Sequence, residues 1–121
     1  MDDEEFIRVI ATSLLEHLGY TVETAREGNE ALDLYRKAQE SGEHYTAVIM
    51  DLTVPGGMGG KETVLELKKL DPDVKTIVSS GYANDPILAN YKKYGFDGMV
   101  PKPYKVEELS QTLHQVITQT G

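Results

Sequence analysis

Cysteine is absent from the chain, so neither a disulfide framework nor a thiolate metal site is available to it. Cations are scarce: 12 Lys and Arg stand against 20 Asp and Glu, a formal charge of -8. Binding to nucleic acid without regard to sequence, or to an anionic membrane surface, needs clustered cations, so neither partner is expected. Long hydrophobic runs are missing too, and the first residues are acidic instead of basic. That combination excludes a spanning helix and a signal peptide, and the expected location is the cytoplasm. What remains is an ordinary globular composition, 40% hydrophobic and 26% charged. A chain of 121 residues can bury one proper core and not two, which predicts a single domain over 1–121.

Periodicity supplies the elements. Phe6, Ile10, Leu14 and Leu18 recur at fours with Ile7 and Leu15 beside them, predicting an amphipathic helix stopped by Gly19. Residues 20–24 alternate as a short strand. Ala31, Leu32, Leu34, Tyr35 and Ala38 predict a second helix ending near Ser41 and Gly42, followed by an apolar strand, 47–51, that closes on Asp51. Residues 54–60 hold four glycines and a proline and must form a loop. Val64, Leu65, Leu67 and Leu70 predict a third helix stopped at Asp71 by the following Pro72. Then come a strand at 76–79, a helix at 87–94, a strand at 98–100 and a closing helix at 106–117. Alternating helices and strands imply an α/β fold with a parallel sheet and helices on both faces.

In such folds ligands sit outside the carboxyl ends of the strands. Asp51, Ser80 and Lys102 all fall at strand ends, and the acidic pair Asp2 and Asp3 stands at the front. Carboxylates with one lysine can hold a divalent metal and a phosphoryl group together, which points to phosphate chemistry. Taken singly, each residue has a plainer explanation. An Asp ending a strand is usually a turn residue, residues 2–5 could be an acidic helix start favouring the helix dipole, Ser80 a turn hydroxyl and Lys102 a solvated side chain. The glycine loop is no phosphate-binding P-loop, since Glu62 and not Ser or Thr follows Gly60 and Lys61. His17, His44 and His114 lie on polar faces or in a loop and read as solvated.

Together, however, Asp2 to Glu5, Gly19-Tyr20, Gly28 to Leu32, Asp51 with Pro55 four residues on, Ser80-Gly81 and Lys102-Pro103-Tyr104 stand in one order and spacing. Over nearly its whole length the chain resembles a receiver domain of two-component response regulators, with DLTVPGGMGGKE, SSGYANDPILANYKKYGF and KPYKVEEL similar to receivers of hybrid sensor histidine kinases. The resemblance implies a flavodoxin-like, doubly wound parallel sheet with strand order 2-1-3-4-5. It implies a phosphoacceptor with slow self-dephosphorylation instead of an enzyme. Asp51 would take the phosphoryl group from a histidine kinase or phosphotransfer protein. Asp3, Asp2, Asp51 and the backbone carbonyl of Thr53 would hold Mg²⁺, Lys102 would pair with phosphoryl oxygens, and Ser80 would donate its hydroxyl to one of them. The Lys102-Pro103 bond resembles the family's cis peptide. A homodimer is compatible with this picture.

The sequence departs from the family in three places. An extra glycine precedes Met58, and Met99 stands where an aromatic residue usually couples to the hydroxyl of Ser80. Tyr91, Tyr94 and Tyr104 are candidates for a docking surface. The apolar first strand that normally precedes the acidic pair is missing, so the domain reads as truncated there and Met1 as either a start or an internal residue. That absence predicts a shifted second strand, cover from a partner chain or an abnormal sheet. A DNA-binding output domain is not expected, since none follows Gly121. Two other functions are open: a degenerate receiver that only binds partners, and a small Mg²⁺-dependent phosphatase of the haloacid-dehalogenase type. The latter needs a second Asp two residues after the nucleophile, where this chain has Thr53.

Overall fold

A computed structural model of the chain describes residues 1–81 and 86–118. Helices form where the apolar spacing places them: α1 over Glu5–His17, α2 over Gly28–Glu40 and α3 over Gly60–Leu70. The short α4 covers Pro86–Ala89, and α5 covers Val106–Thr118. Between them run β1 at Val48–Asp51, β2 at Thr76–Ser80 and β3 at Gly98–Pro101. The helix expected over 87–94 is interrupted. Asn90 takes φ -125°, ψ 36° and turns its side-chain amide back onto the Pro86 carbonyl at 3.2 Å, so a separate 3-10 turn, Tyr91–Tyr94, follows. Part of the kinase-like stretch, residues 82–85, lies outside the described residues.

The three strands among the described residues are parallel in the order β1-β2-β3, with Asp51 opposite Ser79 and Ser80 opposite Pro101. Alternate side chains feed two cores. Met50 and Val78 pack with Val64, Leu67 and Phe96 on one face, while Ile77 and Val100 pack with Leu109, Leu113 and Val116 on the other. Helices therefore cover both faces of an open sheet, the doubly wound arrangement that the alternation implied.

The expected strand at 20–24 does not form. Alternation makes a strand only where a neighbouring backbone takes up its N–H and C=O groups. Among the described residues no such backbone ladder reaches residues 21–24. The Met1 ammonium donates to the Ile49 carbonyl at 2.7 Å, Asp51 N–H donates to the Met1 carbonyl at 2.9 Å, and Asp2 N–H donates to the Ala25 carbonyl at 3.0 Å. These two residues bridge β1 and the 20–25 segment as a strand would, but beyond them the pairing stops. The sheet of the described residues has three strands, where the order 2-1-3-4-5 implied five. Helix α1 buries none of its residues, and Phe6 and Val9 face solvent.

The loop that follows β1 depends on two close approaches. A Cβ at Gly59 would lie 2.5 Å from the Leu52 carbonyl oxygen, and one at Gly28 would lie 2.1 Å from Thr63 Oγ1, so both positions need a bare backbone.

Candidate functional site

Parallel strands present their carboxyl ends on one edge, and each contributes there. Asp51 is the last residue of β1, Ser80 the last of β2, and Lys102 comes directly after β3. Lys102 N–H donates to the Ser80 carbonyl at 3.0 Å, which fixes the lysine beside the serine. The Lys102-Pro103 peptide is cis, as the resemblance implied. From the front of the chain Asp2 enters the same place, held by its Ala25 hydrogen bond and by Arg8, whose Nη1 donates to the Asp2 carbonyl at 2.9 Å.

The Lys102 ammonium stands 2.7 Å from Asp2 Oδ2 and 3.2 Å from Asp51 Oδ2, and all three side chains are nearly buried. Burial pushes the Asp51 carboxyl above its usual range; the attraction of Lys102 opposes this, and the charges of Asp2 and Asp3 reinforce it. For Lys102 burial works downward, yet its hydrogen bond to Asp2 and the charge of Asp51 prevail and raise it. One cation thus serves a site with carboxylates to spare.

Asp3 is exposed, and its carboxylate joins those of Asp2 and Glu4 in a group whose oxygens lie within 4.8 Å of one another. Such an all-oxygen, net negative donor set suits a hard divalent cation. Glu4 was not among the predicted ligands, although the run of acids at 2–5 was the signal that could have pointed to it. Thr53 is exposed in the turn after β1, and Ser80 is buried.

Tyr104, expected on a docking surface, turns inward: its hydroxyl lies 2.8 Å from Ser79 Oγ, and burial raises its pKa. Tyr91 and Tyr94 pack against the core, Tyr94 with Lys61 Nζ 5.8 Å from its ring centroid. Met99 packs against the same core. Sequence reasoning also missed Glu27. Its carboxylate accepts hydrogen bonds from the backbone of Asn29 and Glu30 at the start of α2 and from Met58 N–H at 3.2 Å, while Gly28 N–H donates to the Met58 carbonyl at 2.8 Å. The loop after Asp51 is thereby tied to the start of α2. An acidic residue just ahead of a helix was the available signal.

The family model of the response regulator receiver domain matches residues 1–114. The chain belongs to this family. It is 33% identical over 117 residues to the sensor kinase CckA of Brucella abortus, covering 97% of this chain and 12% of that protein. The chemotaxis protein CheY of Thermotoga maritima is 28% identical, with 96% of this chain and 92% of that protein covered. Among solved structures, the response regulator TrrA of Thermotoga maritima, in complex with Mg²⁺ and BeF, superposes with a TM-score of 0.77 at 29% identity, covering 95% of this chain and 93% of that one. The chain therefore spans nearly all of one relative and about an eighth of the other. It is a receiver domain of two-component signalling, a class that works with histidine kinases or phosphotransfer proteins. No described helix is long and apolar enough to cross a membrane.

Proposed function

We propose that this receiver accepts a phosphoryl group on Asp51 from a phosphohistidine of a histidine kinase or phosphotransfer protein. One observation carries the reading: a nearly buried carboxylate at the carboxyl end of β1 with the Lys102 ammonium 3.2 Å away. An oxygen of Asp51 attacks phosphorus, the new O–P bond forms as the N–P bond of the phosphohistidine breaks, and the leaving nitrogen keeps the electron pair and takes up a proton. Lys102 then pairs with the phosphoryl oxygens, and the Ser80 hydroxyl donates to one of them. Asp3, Asp2, Asp51 and the Thr53 carbonyl are the groups that would hold Mg²⁺, which when bound neutralises charge on the transferring phosphoryl group. Attack by water on the acyl phosphate returns the carboxylate and releases inorganic phosphate, so the domain behaves as a phosphoacceptor and not as an enzyme acting on a separate substrate.

Support comes from burial as much as from proximity. Phosphoryl transfer needs positioning and charge neutralisation more than covalent help, and a raised Asp51 carboxyl that lacks full compensation is set up to gain from both. The test is intact mass after incubation with acetyl phosphate and Mg²⁺, for the parent and for Asp51→Asn. Gain of one phosphoryl group by the parent alone is the expected result. Labelling that survives Asp51→Asn, or a parent that takes up no phosphate, overturns it and leaves the partner-binding module in its place.

A further inference from the structure

Residues 56–60 are all glycine except Met58. Such a run restrains itself poorly, because glycine gives up more conformational freedom on ordering than any other residue. It forms the second half of the loop that carries the Thr53 carbonyl, and the first half is anchored at both sides of that group. Leu52 N–H donates to the Ser79 carbonyl at 2.9 Å, the Leu52 carbonyl accepts from Gly60 N–H at 3.1 Å, and the Val54 carbonyl accepts from Gly57 N–H at 3.1 Å. The Thr53 carbonyl belongs to the planar peptide that joins it to Val54, and no described backbone hydrogen bond reaches it. Its direction therefore follows from how the 54–57 turn is held.

Met58 holds that turn, and Met58 is itself held from outside the loop. Its N–H donates to Glu27 Oε2 at 3.2 Å, and its carbonyl accepts from Gly28 N–H at 2.8 Å. Its side chain lies over Gly28, with Cγ and Sδ 2.7 Å from where a Cβ would stand. The stem of Glu27 lies against Gly57, whose own Cβ would come within 3.0 Å of it. The same carboxylate caps α2 through the N–H groups of Asn29 and Glu30, both at 3.1 Å. Capping alone does not call for glutamate, since Asn, Asp and Ser lead at that position with shorter side chains. The added length is what reaches Met58.

We infer that Glu27 is a positioning residue for phosphoryl transfer: through Met58 it holds the 54–57 turn, so that the Thr53 carbonyl keeps one direction toward a divalent cation. Glu27 acts through the loop and not by touching phosphate or metal. The inference rests on the reading of Asp51 as phosphoacceptor with Thr53 in its metal set. A carbonyl already held in place loses little freedom when a cation arrives, so the clamp raises affinity without a contact of its own. Linkage makes the effect reciprocal: a cation that binds the ordered loop more tightly must also order it.

The test separates clamp from cap with Glu27→Asp, which keeps a capping carboxylate for α2 but is one methylene short of Met58 N–H. Calorimetry gives Mg²⁺ affinity, intact mass gives labelling of Asp51 by acetyl phosphate, hydrogen exchange at the Met58 amide reports the clamp, and the urea midpoint reports the cap. Expected in Glu27→Asp are an unchanged urea midpoint, faster exchange at Met58, and Mg²⁺ affinity about ten-fold weaker. Labelling should need correspondingly more Mg²⁺ and recover at saturation. In the parent, saturating Mg²⁺ should slow exchange at Met58, a readout that needs no variant. Equal Mg²⁺ affinity in Glu27→Asp and parent, or a Met58 amide in the parent that is indifferent to Mg²⁺, overturns the inference and leaves Asp51 its role. Affinity that falls only in step with the urea midpoint assigns Glu27 to the cap alone and also overturns it. A parent that neither binds Mg²⁺ nor takes up a phosphoryl group overturns the phosphoacceptor reading, and this inference with it.

Discussion

Lys102 stands closer to Asp2, at 2.7 Å, than to Asp51, at 3.2 Å. Asp2 thus holds the cation that the phosphoacceptor reading assigns to phosphoryl oxygens. A divalent cation drawn to Asp2 and Asp3 would compete for that carboxylate and release the ammonium toward Asp51. Asp2→Asn should therefore weaken Mg²⁺ binding by at least about ten-fold and raise the Mg²⁺ concentration needed for labelling by acetyl phosphate. Titration of Mg²⁺ against intrinsic tyrosine fluorescence, with labelling measured in parallel, checks both. Unchanged Mg²⁺ affinity in Asp2→Asn removes Asp2 from the metal set.

The same lysine is a structural element. Removing it leaves Asp2 and Asp51 nearly buried without their cation, a situation that costs about 3 kcal/mol or more when a buried pair is broken. Lys102→Met, which keeps the stem and deletes the charge, should lower the urea midpoint accordingly, and millimolar Mg²⁺ should restore part of the loss by replacing the missing positive charge. If the variant is as stable as the parent without Mg²⁺, the lysine does not compensate the two carboxylates.

What the sequence made legible divides along a physical line. Helices α1, α2, α3 and α5 and the three strands follow from local periodicity, and Asp51, Ser80 and Lys102 follow from the rule that parallel strands end on one edge. Residues 20–24 alternate as well as any of them yet form no strand, because a strand is a property of two backbones and no described backbone pairs with residues 21–24. Interactions distant in sequence were hidden for the same reason. Nothing local announces that Tyr104 will meet Ser79, that Tyr35 will donate to Asp71 at 2.7 Å, or that Glu27 will catch Met58.

Glu27 offers a test by pH. Its carboxyl is held below the usual range by hydrogen bonds from the backbone of Asn29, Met58 and Glu30, all of which favour the ionised form. A depressed carboxyl stabilises the fold above its unfolded pKa, and that contribution is lost as pH falls through the lower, folded value. The residue is only partly buried, so solvent screening keeps the effect at the low end of a capping interaction, about 0.5 kcal/mol. Glu27→Ala should be less stable than the parent by this order at pH 7, and the difference should shrink as the pH drops below the ordinary glutamate range. Urea unfolding at several pH values measures it. A difference that does not change with pH would show that the charge of Glu27 contributes nothing to the clamp.

Ser79 and Tyr104 form a part-buried pair whose two hydroxyls satisfy each other at 2.8 Å, with Ser79 fully enclosed and Tyr104 half-buried. Tyr104→Phe strands the serine hydroxyl, and Ser79→Ala strands the phenol, so each single change should cost about 1–3 kcal/mol. The double variant removes both polar groups and leaves nothing unsatisfied, so its cost should fall short of the sum of the two by at least about 0.5 kcal/mol. Equilibrium unfolding of the four chains gives the coupling directly. The phenol provides an independent reading, because burial raises its pKa and its ultraviolet titration should be delayed to higher pH than that of a free phenol in water. Additive costs together with an undisplaced titration would place Tyr104 in solvent, where it could serve a partner; coupling together with a delayed titration keeps it inside, supporting the strand end beside Ser80 and Lys102.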